Sequence, residues 1–195
     1  MKNREIIPEL NDKIVGVKIG SLLCWELGLK KVVQEIKRLT NLPLIFDPQK
    51  GGNDIPYIIE KQVKMVYEAG IEYFISAPVG AGLISLKTFV TLCRIYGIVP
   101  IILCEMTHQE SNYFLSEDSG RKIFQESLNL GVTHFVVPIR LTSSYRDIAN
   151  EKIVLMSPGI DNLSFYADAD YLIAGRILYN KFLLTPKSEE RGMIC

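Results

Sequence analysis

The sequence lacks an excess of charge of either sign. Its 195 residues include 22 lysines and arginines and 22 aspartates and glutamates, so the formal net charge is zero. A neutral chain creates no general electrostatic attraction for nucleic acid or for an anionic membrane surface. An anionic ligand would therefore have to be bound by a few charged groups at one local site.

Cysteine and histidine are also scarce. The four cysteines, Cys24, Cys93, Cys104 and Cys195, form no CxxC pair, and only two histidines are present. This spacing excludes the common zinc motifs, so no metal site is predicted. Scattered cysteines of this kind predict reduced thiols in a cytoplasmic protein.

Long apolar runs are absent as well. No apolar stretch approaches the ~18 residues needed to span a bilayer, and the first segment, MKNREIIPELNDK, is too rich in charge for a secretory signal peptide. Apolar residues nevertheless make up 48% of the chain, which is enough for a full core at this length. Because no low-complexity segment or linker divides the chain, we expect residues 1–195 to form a single domain.

Short apolar runs alternate with longer segments of helical periodicity. The runs are IVGVKIG (14–20), LPLIFD (42–47), IEYFIS (71–76), VPIILCE (99–105), HFVVP (134–138), IVLMSP (153–158) and DYLIAG (170–175). A weaker candidate strand, REIIPEL (4–10), precedes the first of them. Strands alternating with helices indicate a parallel sheet, and eight such units indicate a compact α/β fold, a (β/α)8 TIM barrel whose first strand is short or degenerate. An open doubly wound sheet is the alternative, because about 24 residues per unit is near the lower limit for a barrel.

The segment LLCWELGLKKVVQEIKRL (22–39) shows the helical periodicity most clearly. Its leucines, valines and isoleucine recur at steps of three and four residues. This stripe predicts a helix that faces the core, and Trp25 is assigned to the core with it.

Polar and charged residues follow the predicted strands at their carboxyl ends, where a parallel barrel places its active site. These residues are Lys18, Asp47, Lys50, Glu105, Thr107, His108, Pro158, Gly159, Gly175 and Arg176. Any one strand becomes polar where it reaches solvent, but several such ends meet on one rim of a barrel. The pattern therefore predicts a site built from several strands.

The stretch FDPQKGGNDIP (46–56) concentrates charge directly after a predicted strand. Two carboxylates, Asp47 and Asp54, bracket the amine of Lys50. Flanking carboxylates favour the ammonium form of a lysine in a partly buried site, which suits an acid that donates a proton. The alternative is a solvated loop in which the glycines only favour a turn.

Five segments, in order, resemble the orotidine 5′-phosphate decarboxylase family, and in particular its short archaeal members. They are VKIG with Lys18, DPQKGGNDIP with Asp47, Lys50 and Asp54, EMTH (105–108), Ser157-Pro158-Gly159, and IAGRILY with Gly175 and Arg176. They run from about residue 14 to about residue 180, so the resemblance covers most of the chain.

The resemblance implies decarboxylation of orotidine 5′-monophosphate to uridine 5′-monophosphate, the last step of de novo UMP synthesis, without a metal or organic cofactor. Loss of CO2 from C6 leaves a carbanion that the ring delocalises poorly, so the site has to stabilise charge electrostatically. Lys50 is the candidate that protonates C6, and Asp47 is the candidate that destabilises the substrate carboxylate. Lys18 is expected to orient Asp47 and contact the ribose. Asp54 is expected to reach the site of the other subunit of a homodimer.

The resemblance also implies how the nucleotide is bound. Thr107 is expected at the pyrimidine edge, and the turn Ser157-Pro158-Gly159 is expected to take part in substrate binding. Gly175 and Arg176 are expected at the phosphate, because glycine permits close approach of backbone N–H groups and arginine offers a forked, permanent charge.

The chain departs from the family pattern at four places. The first strand and its ribose-binding aspartate are not recognisable in MKNREIIPEL (1–10). The Asp-Lys-Asp cluster is two residues longer than usual, and Ile58 replaces a threonine. The segment IDNLSFYADAD (160–170) stands where the family has a glutamine- and glycine-rich loop that grips the phosphate.

Two other functions stay open. One is a metal-dependent phosphosugar enzyme of the same barrel superfamily, whose members carry a glutamate ligand where this chain has Lys18, an ammonium that would repel a metal. The other is a catalytically silent phosphate-binding homologue, which Ile58 and the changed loop favour and the four retained charges disfavour.

Overall fold

The computed structural model describes residues 7–8, 10, 12–49, 52–108, 110–111, 113–116, 118–149, 152–158, 168–175 and 193–194. Its strands are β1 (Ile14–Gly20), β2 (Leu44–Asp47), β3 (Tyr73–Ser76), β4 (Val99–Leu103), β5 (His134–Val136), β6 (Val154–Ser157), β7 (Tyr171–Ile173) and β8 (Met193–Ile194). Its helices are α1 (Ser21–Leu27), α2 (Leu29–Lys37), α3 (Pro56–Ala69), α4 (Gly82–Ile95), α5 (Ser119–Asn129) and α6 (Thr142–Ile148), with a 3-10 helix at Ile139–Leu141. None of the helices in these ranges is long and apolar enough to cross a membrane.

The eight strands form one closed barrel. Each strand pairs in parallel with the next along the chain, and β8 pairs with both β7 and β1. Parallel neighbours need a crossover, and the described helices α1 to α6 supply the crossovers from β1 to β6 on the outside of the barrel, whereas most of the residues that connect β6 to β7 and β7 to β8 lie outside the described part of the chain. The predicted (β/α)8 barrel is therefore confirmed, and the open doubly wound sheet is excluded.

The eighth strand lies in a different place from the one predicted. Ile7, Pro8 and Leu10, within the candidate strand REIIPEL, are helical, and the barrel is closed instead by β8 near the other end of the chain. Ile7 and Leu10 are buried against the outer side of the barrel, which explains why this segment is apolar. Apolar content alone did not distinguish a buried helical turn from a strand.

Alternate positions of the strands fill the barrel interior. The interior cluster consists of Ile45, Ile75, Ala77, Ile101, Leu103, Val136, Met156 and Ile173. Residues between them, such as Leu44, Phe74 and Ile102, face outward and pack with the helices in a larger cluster. This period of two means that the inward or outward direction of each polar side chain at the mouth follows from its position in its strand.

The helices α1 and α2 differ in burial although one sequence stripe covers both. α2 buries Val32, Val33 and Ile36, as the stripe predicts. α1 contains no buried residue, and Trp25 is 80% exposed. The assignment of Trp25 to the core was wrong, because α1 begins directly after the end of β1 and therefore lies at the rim.

The opposite, amino-terminal end of the barrel is held by polar contacts. The carboxylate of Glu72 accepts hydrogen bonds from the Leu44 amide at 2.9 Å and from Lys37 Nζ at 3.2 Å. Arg146 Nη2 donates to Asp170 Oδ2 at 2.8 Å. These contacts join helices to the first residues of strands, so this end of the barrel stabilises the fold.

Candidate active site

Lys18 and Asp47 form an ion pair at the mouth of the barrel. In the paired strands β1 and β2, Lys18 lies opposite Ile45 and Gly20 lies opposite Asp47. Ile45 faces the interior, so the alternation along each strand directs both Lys18 and Asp47 inward. Lys18 Nζ lies 2.9 Å from Asp47 Oδ2, and the side chains are 24% and 5% exposed respectively. The structure thus brings together two of the residues that the sequence singled out.

Gln49 provides the second set of contacts to the Asp47 carboxylate. Its backbone N–H donates to Asp47 Oδ1 at 3.2 Å, and its Nε2 lies 3.3 Å from Asp47 Oδ2. The backbone of Gln49 has a φ of 63°, a left-handed conformation that costs a non-glycine residue free energy. The chain accepts this conformation where it turns back to enclose the carboxylate. Sequence reasoning missed Gln49, since a glutamine in a polar loop carries no pattern of its own.

The loop of residues 47–54, called the charged loop below, is also fixed at its far end. The Gly52 N–H donates to Gln62 Oε1 at 2.6 Å, and Asn53 Nδ2 donates to the Ala77 carbonyl at 2.9 Å. Gln62 belongs to α3, and Ala77 follows β3. Lys50, the candidate proton donor between these two ends, lies outside the described residues.

Asp54 lies on the outer side of the charged loop. It is exposed, and its Oδ1 accepts a hydrogen bond from the Ile55 N–H at 2.7 Å. Ile55 and Tyr57, which follow it, are each 60% exposed. The structure therefore does not bring Asp54 to the Lys18–Asp47 pair of its own chain.

A cleft of about 450 Å³ opens between the charged loop and the residues that follow β4. Gln49 and Asn53 line one side, and Thr107 lines the other together with Glu105 and Arg140. Thr107 is exposed, so its hydroxyl is available to a bound molecule. Polar groups from the ends of several strands thus surround a space large enough for a small molecule.

The side chain of Glu105 is held in place by a hydrogen bond from a buried tyrosine. Tyr145, a buried residue of α6, donates its hydroxyl to Glu105 Oε1 at 2.5 Å. Burial, and then the hydrogen bond to Glu105, raise the pKa of Tyr145 well above its usual value, so the phenol remains the donor. Gly120 leaves room for this contact, because a Cβ there would lie 2.6 Å from both the Tyr145 hydroxyl and Glu105 Oε1. The partners lie forty positions apart in the chain, so no local sequence pattern indicates this pairing.

The turn predicted to take part in substrate binding and the pair predicted to bind the phosphate are described only in part. Ser157 is fully buried, and its Oγ donates to the Val137 carbonyl at 3.0 Å, so its hydroxyl joins two strands. Pro158 is half-buried, and Gly175 is exposed, with no atom of the described residues within 4 Å of an added Cβ. Gly159 and Arg176 lie outside the described residues.

The thiols are placed for packing. Cys24, Cys93 and Cys104 are free, and burial raises the pKa of each. A thiol with a raised pKa is a poor nucleophile and a poor metal ligand at neutral pH. Among the residues that the structure describes, no group of three or more His, Cys, Asp or Glu side chains could hold a metal ion.

Comparison with known proteins gives consistent results. The family model "Orotidine 5′-phosphate decarboxylase / HUMPS family" matches residues 2–182. An orotidine 5′-phosphate decarboxylase of Pyrococcus furiosus is 29% identical over 187 residues, which span 92% of this chain and 84% of that protein. The enzyme of the same name from Pyrococcus abyssi is 27% identical over 184 residues, which span 90% and 84%.

Solved structures with the same fold carry the same name. The orotidine 5′-monophosphate decarboxylase of Methanocaldococcus jannaschii, in complex with the inhibitor BMP, aligns with a TM-score of 0.78 and 25% identity, covering 92% of this chain and 86% of that one. The enzyme of Sulfolobus solfataricus aligns with a TM-score of 0.74 over 91% and 84% of the two chains, and at 23% identity it supports the fold alone.

Proposed function

Because the chain belongs to the orotidine 5′-phosphate decarboxylase / HUMPS family, we propose that it converts orotidine 5′-monophosphate to uridine 5′-monophosphate and CO2. The observation that carries the proposal is the Lys18–Asp47 ion pair, with the Asp47 carboxylate 5% exposed at the mouth of the barrel. A buried carboxylate beside an ammonium is the arrangement that this reaction needs. The reaction would complete UMP synthesis from simple precursors.

The reaction proceeds by direct loss of CO2 from C6 of the pyrimidine. The substrate carboxylate lies near Asp47, and the repulsion between the two anions is relieved when the C6–CO2 bond breaks. Its electron pair stays on C6, and Lys50 then transfers a proton to this carbon. Lys18 and Gln49 hold Asp47 in place by hydrogen bonds to its two oxygens, so little reorganisation is needed during the reaction. The charged groups supply the stabilisation, and the scheme calls for no metal or organic cofactor.

The cleft and the strand ends beside it suit the rest of the nucleotide. Thr107, exposed in the cleft wall, is assigned to the pyrimidine edge. Gly175 and Arg176 are assigned to the phosphate, with the turn Ser157-Pro158-Gly159 beside them. The exposure of Gly175 supports this assignment, because a phosphate oxygen could reach the backbone of an exposed glycine. Binding energy from the phosphate would then position the base for reaction.

We further propose a homodimer in which Asp54 completes the site of the other subunit. Exposed apolar side chains lie in or directly before the helices α1, α3 and α4, and they are called the apolar rim: Leu22, Trp25, Ile55, Tyr57, Leu83 and Ile84. Exposed apolar groups at this density favour contact with a protein surface. Asp54, the last residue of the charged loop, is exposed and directly precedes Ile55 of this rim, so a partner's site could take it up.

We propose a cytoplasmic location because of the state of the cysteine thiols. The three described cysteines are free, which fits a reducing compartment. Residues 1–195 are taken as one barrel domain.

An absorbance assay tests the proposed function. Orotidine 5′-monophosphate is incubated with the protein, the fall in ultraviolet absorbance is followed, and uridine 5′-monophosphate is identified by chromatography, with and without a chelator. Equal activity in both arms is expected. Activity lost with the chelator would indicate the metal-dependent alternative, and nucleotide binding without turnover would indicate the silent homologue.

A further inference from the structure

The sequence of the charged loop is rich in glycine beside the candidate proton donor. Lys50 is followed by two glycines, and glycine loses more conformational freedom on ordering than any other residue. A lysine that must meet one carbon atom therefore depends on contacts that fix the loop from outside.

The described contacts fix both sides of Lys50. On the near side, Gln49 is bound to Asp47. On the far side, Gln62 accepts the Gly52 N–H at 2.6 Å, and Asn53 donates to the Ala77 carbonyl at 2.9 Å. The far-side contacts come from elements outside the loop, the helix α3 and the end of β3.

The position of Gln62 on α3 suits its contact with the Gly52 N–H. It is half-buried on α3, with its side chain directed to the loop backbone rather than to the cleft. Gly52 is buried, so its N–H has no access to solvent and depends on Gln62 as its acceptor. A buried N–H without an acceptor is unfavourable, so loss of the Gln62 oxygen would favour another loop conformation.

We infer that Gln62 is a positioning residue of the reaction, with Asn53 as its companion: together they hold the far end of the charged loop so that Lys50 meets the reacting carbon. The inference rests on the proposed function. It adds Gln62, which does not line the cleft, and Asn53, whose amide donates to the Ala77 carbonyl, as residues that act through the loop.

The first test replaces the acceptor while keeping the size of the side chain. Gln62→Met removes the acceptor, whereas Gln62→Glu retains an acceptor oxygen. Gln62→Met should lower kcat roughly ten- to a hundredfold, since a displacement of about 1 Å at a reacting group can cost this much. KM should change less than about threefold, because Gln62 does not face the cleft. Gln62→Glu should recover most of kcat, and Glu60→Met, an exposed change on the same helix, should have no effect.

The second test measures the loop without using activity. Native-state amide hydrogen exchange is followed in the peptide that covers residues 48–55. Exchange should accelerate in Gln62→Met and in Asn53→Leu, and remain as in wild type in Gln62→Glu and Glu60→Met.

Each result has a distinct meaning. Faster exchange together with lower kcat supports the inference, and unchanged exchange in Gln62→Met overturns it. Faster exchange with unchanged kcat also overturns it, because the anchored loop would then not serve the reaction. If the wild-type protein binds the nucleotide without turnover, the proposed function is refuted, and so is any role of Gln62 in the reaction. The exchange data would still show whether Gln62 anchors the loop.

Discussion

Adding one methyl group at Gly52 should displace the charged loop. A Cβ at this position would lie 2.6 Å from Cδ2 and 2.7 Å from Cε2 of Phe89. Phe89 is fully buried and packs edge-on against Phe74 with ring centroids 5.1 Å apart, so it cannot move aside. The φ of Gly52 is 71°, which adds the cost of a left-handed conformation.

The cost of the clash with Phe89 can be separated from the cost of the left-handed conformation by comparing Gly52 with a second glycine of similar φ. Gly97 has a φ of 69° and no atom within 4 Å of an added Cβ, and it lies after α4, away from the cleft. Gly97→Ala should therefore cost only the conformational part, ~1–2 kcal/mol. Gly52→Ala should cost that plus ~1–3 kcal/mol of overpacking, a total of roughly 2–5 kcal/mol.

Urea unfolding followed by circular dichroism measures both free energies, and the decarboxylation assay measures the site. Gly52→Ala should be the more destabilised variant and should lose at least about tenfold in kcat through the displaced loop, whereas Gly97→Ala should keep its activity. Equal destabilisation by the two variants would show that Gly52 does not rest on Phe89.

Four further predictions concern the charged residues. Lys50→Ala should lower kcat by about 10²- to 10⁴-fold in a folded protein, as expected for loss of a positioned acid. Mixed Lys50→Ala and Asp54→Ala subunits should regain activity, because one site of each mixed dimer has all its charges. Arg176→Ala should lower kcat/KM for the nucleotide roughly ten- to several-hundredfold, since each charge-assisted hydrogen bond is worth ~1.5–3 kcal/mol, and should leave the reaction of the nucleoside orotidine unchanged. Burial lowers the pKa of His134, and Asp170 opposes this effect. The unfolded chain therefore binds a proton more readily than the folded one, and the free energy of unfolding should fall as the pH drops below the usual histidine pKa of ~6.5. His134→Gln should reduce this fall.

Each of these four has an outcome that contradicts it. More than about a hundredth of activity in Lys50→Ala would remove Lys50 as the donor. No recovery after verified subunit exchange would place Asp54 outside the neighbouring site. Equal losses on both substrates would mean that Arg176 supports the barrel, and identical pH profiles of urea unfolding would show that His134 is protonated equally in both states.

The sequence predicted those features that depend on strand ends. The strands β1 to β7 appear as apolar runs, and Lys18 and Asp47 meet because they lie near the ends of neighbouring parallel strands. β8 has two residues, too few for a periodic pattern. Trp25 was misassigned, because periodicity identifies a helix face without showing whether any partner covers it.

The supporting residues could not be predicted in the same way. Gln49, Gln62 and Asn53 act through single hydrogen bonds to backbone or carboxylate groups, and any polar loop or helix surface contains similar residues. Tyr145 reaches Glu105 across forty positions. Such contacts depend on how elements pack, which only the three-dimensional structure shows.

The Lys18–Asp47 pair has a consequence for how this protein could change over time. Withdrawing two charges from water costs several kcal/mol per ion, and apolar replacements of similar size are often as stable or more stable. Replacing the pair by apolar residues could therefore raise the free energy of unfolding, but the reaction requires that the pair be retained. A descendant that no longer needs the reaction could replace both residues by apolar ones and become more stable. The same substitutions would then remove activity and increase stability.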